Sequence, residues 1–318
     1  MRRSSTALAG LGALALGAGV WGVVAERTRF QLRRETLPVL DAGSEPIKIL
    51  HLSDIHMAPW HSSTISWIRE LRLLEPDLVV GTGDFLGHPD GLSALSEALA
   101  PLAGIPGVVT HGSNDTVAPH FKNPFGYLLA PSQVEGSAGT PLDFEGLQRL
   151  YRDVLGWSDI NNAATRMSIN NSVLDLVGIG DAHHGEDALE RLPEIMESVR
   201  ESDEGLDRHT RTSVTTIGVT HAPYRRVLDA FVTHGSEVIF AGHTHGGQVC
   251  LPGGRALTTN CDLPLDQASG VSLWRHAARS SYLEVSSGLG TSVYAPIRLF
   301  CPPEAVLVTL VGDDISYA

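Results

Sequence analysis

The chain has few of the residues that support several common functions. Its 318 residues include three cysteines, Cys250, Cys261 and Cys301, and their odd number and wide spacing argue against a CxxC pair or a disulfide framework. Basic residues are also scarce, because 23 Lys and Arg face 36 Asp and Glu, for a formal net charge of −13. With no basic stripe to neutralise phosphates, no nucleic-acid partner is expected. No repeat is present, so one large globular domain is expected.

The first 45 residues differ in composition from the rest. Residues 1–5 are basic, and residues 6–25 carry no charge over a length that can just span a bilayer. A retained single-pass anchor in the cell membrane is favoured, and the alternatives are an exported protein with a cleaved signal segment or a helix outside the membrane. Arginines on both sides give conflicting cues, so the side of the membrane stays open. Residues 26–45 are predicted to be a linker, and residues 46–318 the functional domain.

After the linker, apolar strand-like runs alternate with helical stretches. Ile47–Asp54 is typical of a buried strand. The next segment has Ile65, Ile68 and Leu71 at helical spacing and ends at Pro76. The alternation continues along the chain, and further strands are predicted near its C-terminal end. This pattern predicts an α/β layered domain.

Polar side chains that can bind metal ions follow several of these strands. They are Asp54, His56, Asp84, Asn114, His221, His243 and His245. Because ligands bind at the carboxyl ends of strands in α/β sheets, these side chains are expected to converge. Imidazole nitrogens with carboxylate and amide oxygens suit Mn, Fe, Zn or Co better than Ca or Mg. The set suffices for two divalent ions if one carboxylate bridges them, and such a pair suits displacement at phosphorus by water.

The order and flanking residues of these motifs resemble the calcineurin-like metallophosphoesterases, in particular their membrane-associated bacterial branch. The matching motifs are Asp54-Ile55-His56, Gly83-Asp84, Ser113-Asn114-Asp115, the lone His221 and Gly242-His243-Thr244-His245. The resemblance implies a four-layer αββα sandwich of two mixed sheets. It also implies that hydroxide between two metal ions attacks phosphorus. In this scheme Asp84 bridges the ions; one is completed by Asp54, His56 and His245, the other by Asn114, His221 and His243.

One position departs from the family pattern. The family has a histidine directly after the metal-binding asparagine, as general acid or transition-state stabiliser, and this chain has Asp115 there. An ionised carboxylate would repel the phosphate unless it were protonated or paired, for example with a histidine that it orients. Asp115 and His183 are the predicted catalytic residues, with His111 and His184 as alternatives by position. Other lone histidines, His51 among them, are expected at the surface or at caps.

The predicted function is that of a dinuclear metal-dependent phosphoesterase. Its substrate would be a phosphorylated small molecule or a lipid-linked compound with a phosphomonoester, phosphodiester or pyrophosphate bond. Three alternatives stay open: a UDP-2,3-diacylglucosamine-type pyrophosphatase, a cyclic-nucleotide phosphodiesterase, and a non-catalytic metal-stabilised module that binds a phosphorylated ligand. Asp115 is the feature that favours the last. The natural substrate, the metals among Mn, Fe and Zn, and the oligomeric state are not determined by the sequence.

Overall fold

The computed structural model describes residues 17–119, 139–201 and 214–313. The α-helices with both ends in these ranges are α1 (Ser62–Glu70), α2 (Gly91–Leu99), α3 (Phe144–Arg149), α4 (Leu192–Glu201) and α5 (Arg225–His234). The strands are β1 (Gln31–Leu40), β2 (Ile47–Leu52), β3 (Leu78–Gly81), β4 (Gly107–Val109), β5 (Ser158–Asp159), β6 (Ala163–Ile169), β7 (Ser172–Ile179), β8 (Val214–Thr220), β9 (Val238–Ala241), β10 (Cys250–Leu251), β11 (Arg255–Ala256), β12 (Gly270–His276), β13 (Arg279–Val285) and β14 (Glu304–Gly312).

Two six-stranded mixed sheets carry the fold. The first has the order β1-β14-β2-β3-β4-β5, in which only the β14–β2 pair is antiparallel. The second has the order β12-β13-β9-β8-β7-β6, in which the β12–β13 and β6–β7 pairs are antiparallel. In both sheets the central strands are parallel, so their carboxyl ends lie at one edge.

Three apolar layers separate the sheets and helices. One cluster joins the first sheet to helices α1 to α3, and includes Ile65 and Leu95. A second fills the space between the two sheets, where Ile49 of β2 and Phe240 of β9 are fully buried. A third joins the second sheet to α4 and α5, with Phe231 at its centre. The predicted four-layer αββα sandwich is therefore confirmed.

The structure differs from the prediction of a linker over residues 26–45. Strand β1 lies inside this range and pairs in parallel with β14, from Gln31 opposite Glu304 to Leu37 opposite Leu310. Leu37 and Leu40 are buried in the layer between the sheets. The charges that suggested a linker belong to an edge strand, where charged residues are common.

The predicted membrane anchor at residues 6–25 is contradicted. In the part of the chain that the structure describes, no helix has both the length and the apolar character needed to cross a bilayer. Residues 6–16 lie outside the described ranges, and residues 17–24 are helical before the chain turns at Glu26–Thr28. The prediction of a single-pass location in the cell membrane, which depended on this anchor, is therefore wrong.

Candidate metal centre

The two sheets bring the predicted metal ligands to one edge of the fold. Asp54 and His56 follow β2, Asp84 follows β3 and Asn114 follows β4 in the first sheet. In the second sheet His221 directly follows β8, and His243 and His245 follow β9. Short contacts link six of the seven and are described below, and His243 joins them through its backbone N–H, 3.0 Å from Asp54 Oδ2, and through its ring, whose centroid is 5.2 Å from that of His221. The convergence predicted from strand ends is therefore present in the structure.

The first group of predicted ligands consists of Asp54, His56 and His245. Their nitrogen and oxygen donors all lie within 4.8 Å of one another. His245 Nε2 is 3.5 Å from Asp54 Oδ1 and 3.2 Å from His56 Nε2. Two ligands about 2.1 Å from one ion are about 3.4 Å apart at a tetrahedral angle. The spacing therefore fits three ligands of a single divalent ion.

Asp84 lies between this group and the second. Its Oδ2 is 3.6 Å from His56 Nε2 and also 3.6 Å from His221 Nε2. Asp84 and His221 form a second set of close donors together with Asp54. The Asn114 amide nitrogen is 2.6 Å from Asp84 Oδ2. One carboxylate is thus in reach of ligands from both sheets, as a bridging ligand must be.

Hydrogen bonds to carbonyl groups orient two of the histidines. His221 Nδ1 donates to the Thr82 carbonyl at 2.7 Å, which leaves the lone pair of Nε2 directed toward Asp84. His243 Nε2 lies 3.2 Å from the Asn260 carbonyl oxygen, and if it donates to that oxygen the lone pair of Nδ1 is left for a metal ion. A carbonyl partner of this kind fixes the tautomer of a metal-binding histidine. In His221 and His243, which belong to the second group of predicted ligands, these hydrogen bonds orient the ring before any metal ion binds.

The backbone at the ligands adopts an unusual conformation. Five of them have left-handed φ angles: Asp54 at 47°, His56 at 45°, Asp84 at 56°, His243 at 68° and His245 at 49°. Non-glycine residues rarely adopt this region, and such positions concentrate at functional sites. Each of these five residues follows the end of a strand, and the left-handed conformation lets the chain turn sharply there.

The electrostatics of the site favour an ionised Asp54 and a neutral His245, whereas His221 differs: burial would lower its pKa, but the charges of Asp84, Asp181 and Asp54 raise it to about 9. Burial alone would raise the pKa of Asp54, but the neighbouring His245, His221 and His56 lower it below its usual value. Burial, assisted by His56 and Arg298 against the opposing charge of Asp54, lowers the pKa of His245 to about 3. Neutral imidazole and ionised carboxylate are the protonation states that bind metals.

One buried atom supports the fit of a metal ion directly. Asp54 Oδ1 is buried and has no hydrogen-bond partner among the described residues, whereas Oδ2 accepts two hydrogen bonds. Burying a carboxylate oxygen without a partner is costly unless a cation is near. This oxygen faces His245 and His56, so an ion at the first group would satisfy it.

Asp115 is placed differently from the prediction that it faces the phosphate. Its side chain is fully buried, and its two oxygens accept backbone N–H groups from Gly112, Asp84, Phe85 and Leu86 at 2.7–3.2 Å. Burial and the charge of Asp84 raise the pKa of Asp115, while the backbone donors oppose that rise. With both oxygens occupied by the main chain, Asp115 shapes the loop that carries Asp84.

His183 lies beside the second group of ligands. Its ring centroid is 4.5 Å from that of His243, and its Nδ1 is 2.9 Å from the Tyr224 hydroxyl. Burial lowers the pKa of His183 to about 3. The two alternatives by position are elsewhere engaged, because His111 pairs with Asp159 at 2.8 Å and His184 with Asp181 at 2.8 Å. Of the three histidines, His183 is the one in ring contact with a predicted ligand.

Two residues that the sequence favours at the surface are buried and support the site: Arg298, for which a surface ion pair is favoured over contact with the substrate phosphate, and His51. Arg298 is fully buried, and its Nη2 lies 2.7–3.0 Å from the carbonyl oxygens of Ser287, Gly288 and Gly290. His51 was expected at the surface or at a cap and is fully buried. Its position inside the apolar run of β2 was the available signal, because a histidine there faces a sheet interior.

Comparison with known proteins identifies the family. A sequence profile described as calcineurin-like phosphoesterase matches residues 47–247. The chain belongs to this family. An uncharacterized metallophosphoesterase of Aquifex aeolicus (strain VF5) is 24% identical over 288 residues, 89% of this chain and 91% of that protein. The phosphodiesterase YaeI of Escherichia coli (strain K12) is 26% identical over 289 residues, 89% of this chain and 88% of that protein.

Solved structures resemble the chain more distantly. A dimetal phosphatase from Danio rerio is 12% identical, covering 77% of this chain and 88% of that one with a TM-score of 0.42. Membership makes this calcineurin-like phosphoesterase a metal-dependent phosphoester hydrolase. The comparisons support the family, and they do not support its membrane-associated branch.

Proposed function

We propose that the protein hydrolyses phosphodiesters at a centre of two divalent metal ions, Mn, Fe or Zn. The observation that carries the proposal is the position of Asp84, with Oδ2 3.6 Å from a histidine of each ligand group. Asp54, His56 and His245 would hold one ion, and Asn114, His221 and His243 the other, with Asp84 shared. Two such ions would acidify a water and stabilise the charge that develops on the phosphate oxygens.

The preference for a diester rests on charge and on one relative. A phosphomonoester brings a dianion, whereas a diester brings a single negative charge. The guanidinium that lies against the ligand His245, Arg298, is fully buried and directs its Nη2 to main-chain carbonyls. Arg298 is therefore not available to neutralise the second negative charge of a phosphomonoester. The name of the Escherichia coli relative, a phosphodiesterase, supports the same class.

Other residues of the chain would orient the reaction. His183, whose ring contacts that of His243, would donate a hydrogen bond to a substrate oxygen. Asp115 would act through Asp84, whose N–H it accepts at 2.9 Å. This backbone role also removes the reason for a non-catalytic module, because Asp115 does not present its charge to the phosphate.

The test is metal-dependent turnover by the full chain. After supplementation with Mn²⁺, the protein should hydrolyse bis-p-nitrophenyl phosphate faster than p-nitrophenyl phosphate or pyrophosphate. Asp84→Asn should lower kcat by at least about 10³-fold, since it weakens the ligand shared by both ions. Asp153→Asn, a substitution of the same kind at an exposed ion pair with Arg152, should leave kcat unchanged. Two bound metals without turnover of any of the three substrates would refute the proposal, and faster monoester hydrolysis would refute its diester class.

A further inference from the structure

A line of buried polar side chains runs from the second sheet to the metal ligand Asp54. Glu284 of β13 contacts His51 Nδ1, and His51 Nε2 is 2.9 Å from Thr82 Oγ1. Thr82 Oγ1 is 2.6 Å from Ser53 Oγ, which is 2.5 Å from Asp54 Oδ2. All five residues are fully buried. Such a row of polar groups is costly to bury unless each group has a hydrogen-bond partner, and here every polar atom of the row except Asp54 Oδ1 has one among the described residues.

The chemistry of the groups fixes the direction of every hydrogen bond. An ionised Asp54 can only accept, so the Ser53 hydroxyl donates to it. Ser53 has no second proton and therefore accepts from Thr82. Thr82 in turn accepts from His51 Nε2–H, and because an ionised Glu284 can only accept, His51 Nδ1–H donates to Glu284. From His51 onward, the row thus forms one directed chain of donors that ends on Asp54.

The far end of the row is tied to strand β1. Arg33 Nη2 donates to Glu284 at 2.5 Å, and Arg33 Nε donates to Glu304 at 3.1 Å. Glu304 also accepts the Ser287 N–H at 2.9 Å. Burial would raise the pKa of Glu284, but His51 and Arg33 hold it below its usual value. The strand predicted to be a linker therefore supplies the cation that keeps this buried carboxylate ionised.

The two carboxylate oxygens of Asp54 have different surroundings. Oδ2 accepts from Ser53 and from the His243 N–H at 3.0 Å, while Oδ1 stays without a hydrogen-bond partner among the described residues and faces His245. Space around the row is tight. A Cβ at Gly242 would lie 1.9 Å from Ser53 Oγ and 2.5 Å from Asp54 Oδ2. The hydrogen bonds to Oδ2 thus fix the position of the carboxylate, and Oδ1 remains available to a metal ion.

We propose that Glu284, His51, Thr82 and Ser53 are positioning residues for Asp54, which fix its rotamer and set the affinity of the first metal ion. The inference deepens the proposed function and rests on it, because it assigns a support to one ligand of the proposed centre. The groups act through Asp54 and do not touch substrate. Partners that orient a metal ligand in this way typically change metal affinity about 10–100-fold when they are lost.

The experiment measures Mn²⁺ binding by the metal-free full chain, with calorimetry for affinity and elemental analysis for stoichiometry. Thr82→Val removes the hydroxyl and interrupts the row, and should weaken one of the two binding steps about 10–100-fold. Thr82→Ser keeps the hydroxyl and should bind within about 3-fold of the wild type. Thr110→Val is the matched control, since Thr110 is fully buried at the end of β4 and its hydroxyl has no hydrogen-bond partner among the described residues.

The outcomes separate the two proposals. Wild-type affinity in Thr82→Val overturns the positioning role, and so does an equal loss in Thr82→Val and Thr110→Val, which would reflect packing near the site. If Thr82→Val does not fold, Ser53→Ala interrupts the same row without added bulk, and wild-type binding by it is equally decisive. A wild-type chain that binds no Mn²⁺, Fe²⁺ or Zn²⁺ would instead defeat the proposed function itself.

Discussion

The carboxylate of Asp115 holds the main chain of Asp84, with Oδ2 accepting the Asp84 N–H at 2.9 Å. Asp84 is the proposed bridging ligand, so its backbone position sets the distance between the two ligand groups. Asp115 also accepts from Phe85 and Leu86, the next two residues of the same loop. A residue that the family pattern would place against the substrate here acts as the anchor of a ligand loop.

Asp115→Asn should therefore lower stability and metal binding rather than remove a proton donor. In this variant the NH₂ group of the asparagine side chain would face a backbone N–H, so two donors would meet. The hydrogen bonds from the backbone to a charged carboxylate would also be lost, and together these effects should lower the free energy of unfolding by about 2–4 kcal/mol. Denaturant unfolding of the metal-free protein measures this cost. Turnover should fall by the same factor for bis-p-nitrophenyl phosphate and diphenyl phosphate. A larger fall for diphenyl phosphate, the ester with the poorer leaving group, would show that Asp115 is the general acid after all.

His183 should affect turnover without affecting metal content. His183→Phe keeps a ring beside His243 but removes the N–H, and should lower kcat on bis-p-nitrophenyl phosphate about 10²-fold. His183→Gln restores an N–H donor and should recover part of that loss. The control is His184→Gln in the same loop, because glutamine can still donate to Asp181 as His184 does. Loss of bound Mn²⁺ in His183→Phe, measured by elemental analysis, would assign His183 to the metal shell instead.

The predicted ligands and the layered fold follow from local sequence signals. Asp54, Asp84 and His221 come directly after apolar runs, and parallel strands bring such ends together whatever the details of packing. The same reasoning found the helix with Ile65 and Ile68 buried, because helical spacing is a property of the segment itself. These predictions needed no information about distant partners.

The features that sequence reasoning missed depend on distant partners. His51 is buried because it meets Glu284, 233 positions away along the chain. Arg33 is charged and still belongs to a strand, because Glu284 and Glu304 neutralise it. Asp115 faces the main chain since the preceding turn aims it at the loop after β3. A pattern within one segment carries no signal of such pairings, so each was interpreted by its charge alone.

Strand β1 should contribute to stability, which a linker would not. Leu37→Ala removes a side chain that is 2% exposed in the layer between the sheets, and should cost about 2–5 kcal/mol in the free energy of unfolding. Thr36→Ala changes the exposed neighbouring residue of the same strand and should cost no more than about 0.5 kcal/mol. Urea unfolding of both variants measures the difference. If both substitutions changed the free energy of unfolding equally and negligibly, residues 26–45 would behave as a linker.

The pair of His111 and Asp159 should make stability depend on pH. His111 Nε2 is 2.8 Å from Asp159 Oδ2. Burial would lower the pKa of His111, but its hydrogen bond with Asp159 and the charges of Asp159, Asp115 and Glu186 raise it above its usual value. Burial would raise the pKa of Asp159, but His111 lowers it. The contribution of His111 is then complete below its unfolded pKa of about 6.5 and is lost as the pH rises through its higher folded pKa.

The lowered pKa of Asp159 sets the other limit, since its contribution is present above an unfolded pKa of about 3.9 and is lost as the pH falls below it. The pair should therefore stabilise the fold most between about pH 4 and pH 6.5. In thermal unfolding of the metal-free protein, the Tm of His111→Gln should fall further below the wild-type Tm at pH 6 than at pH 9. Thr36→Ala, which removes no titratable group, should show the same Tm difference from the wild type at both pH values. A His111→Gln deficit that is equal at pH 6 and pH 9 would mean that the ring acts by packing against Tyr151 and Phe144 and that its charge contributes nothing.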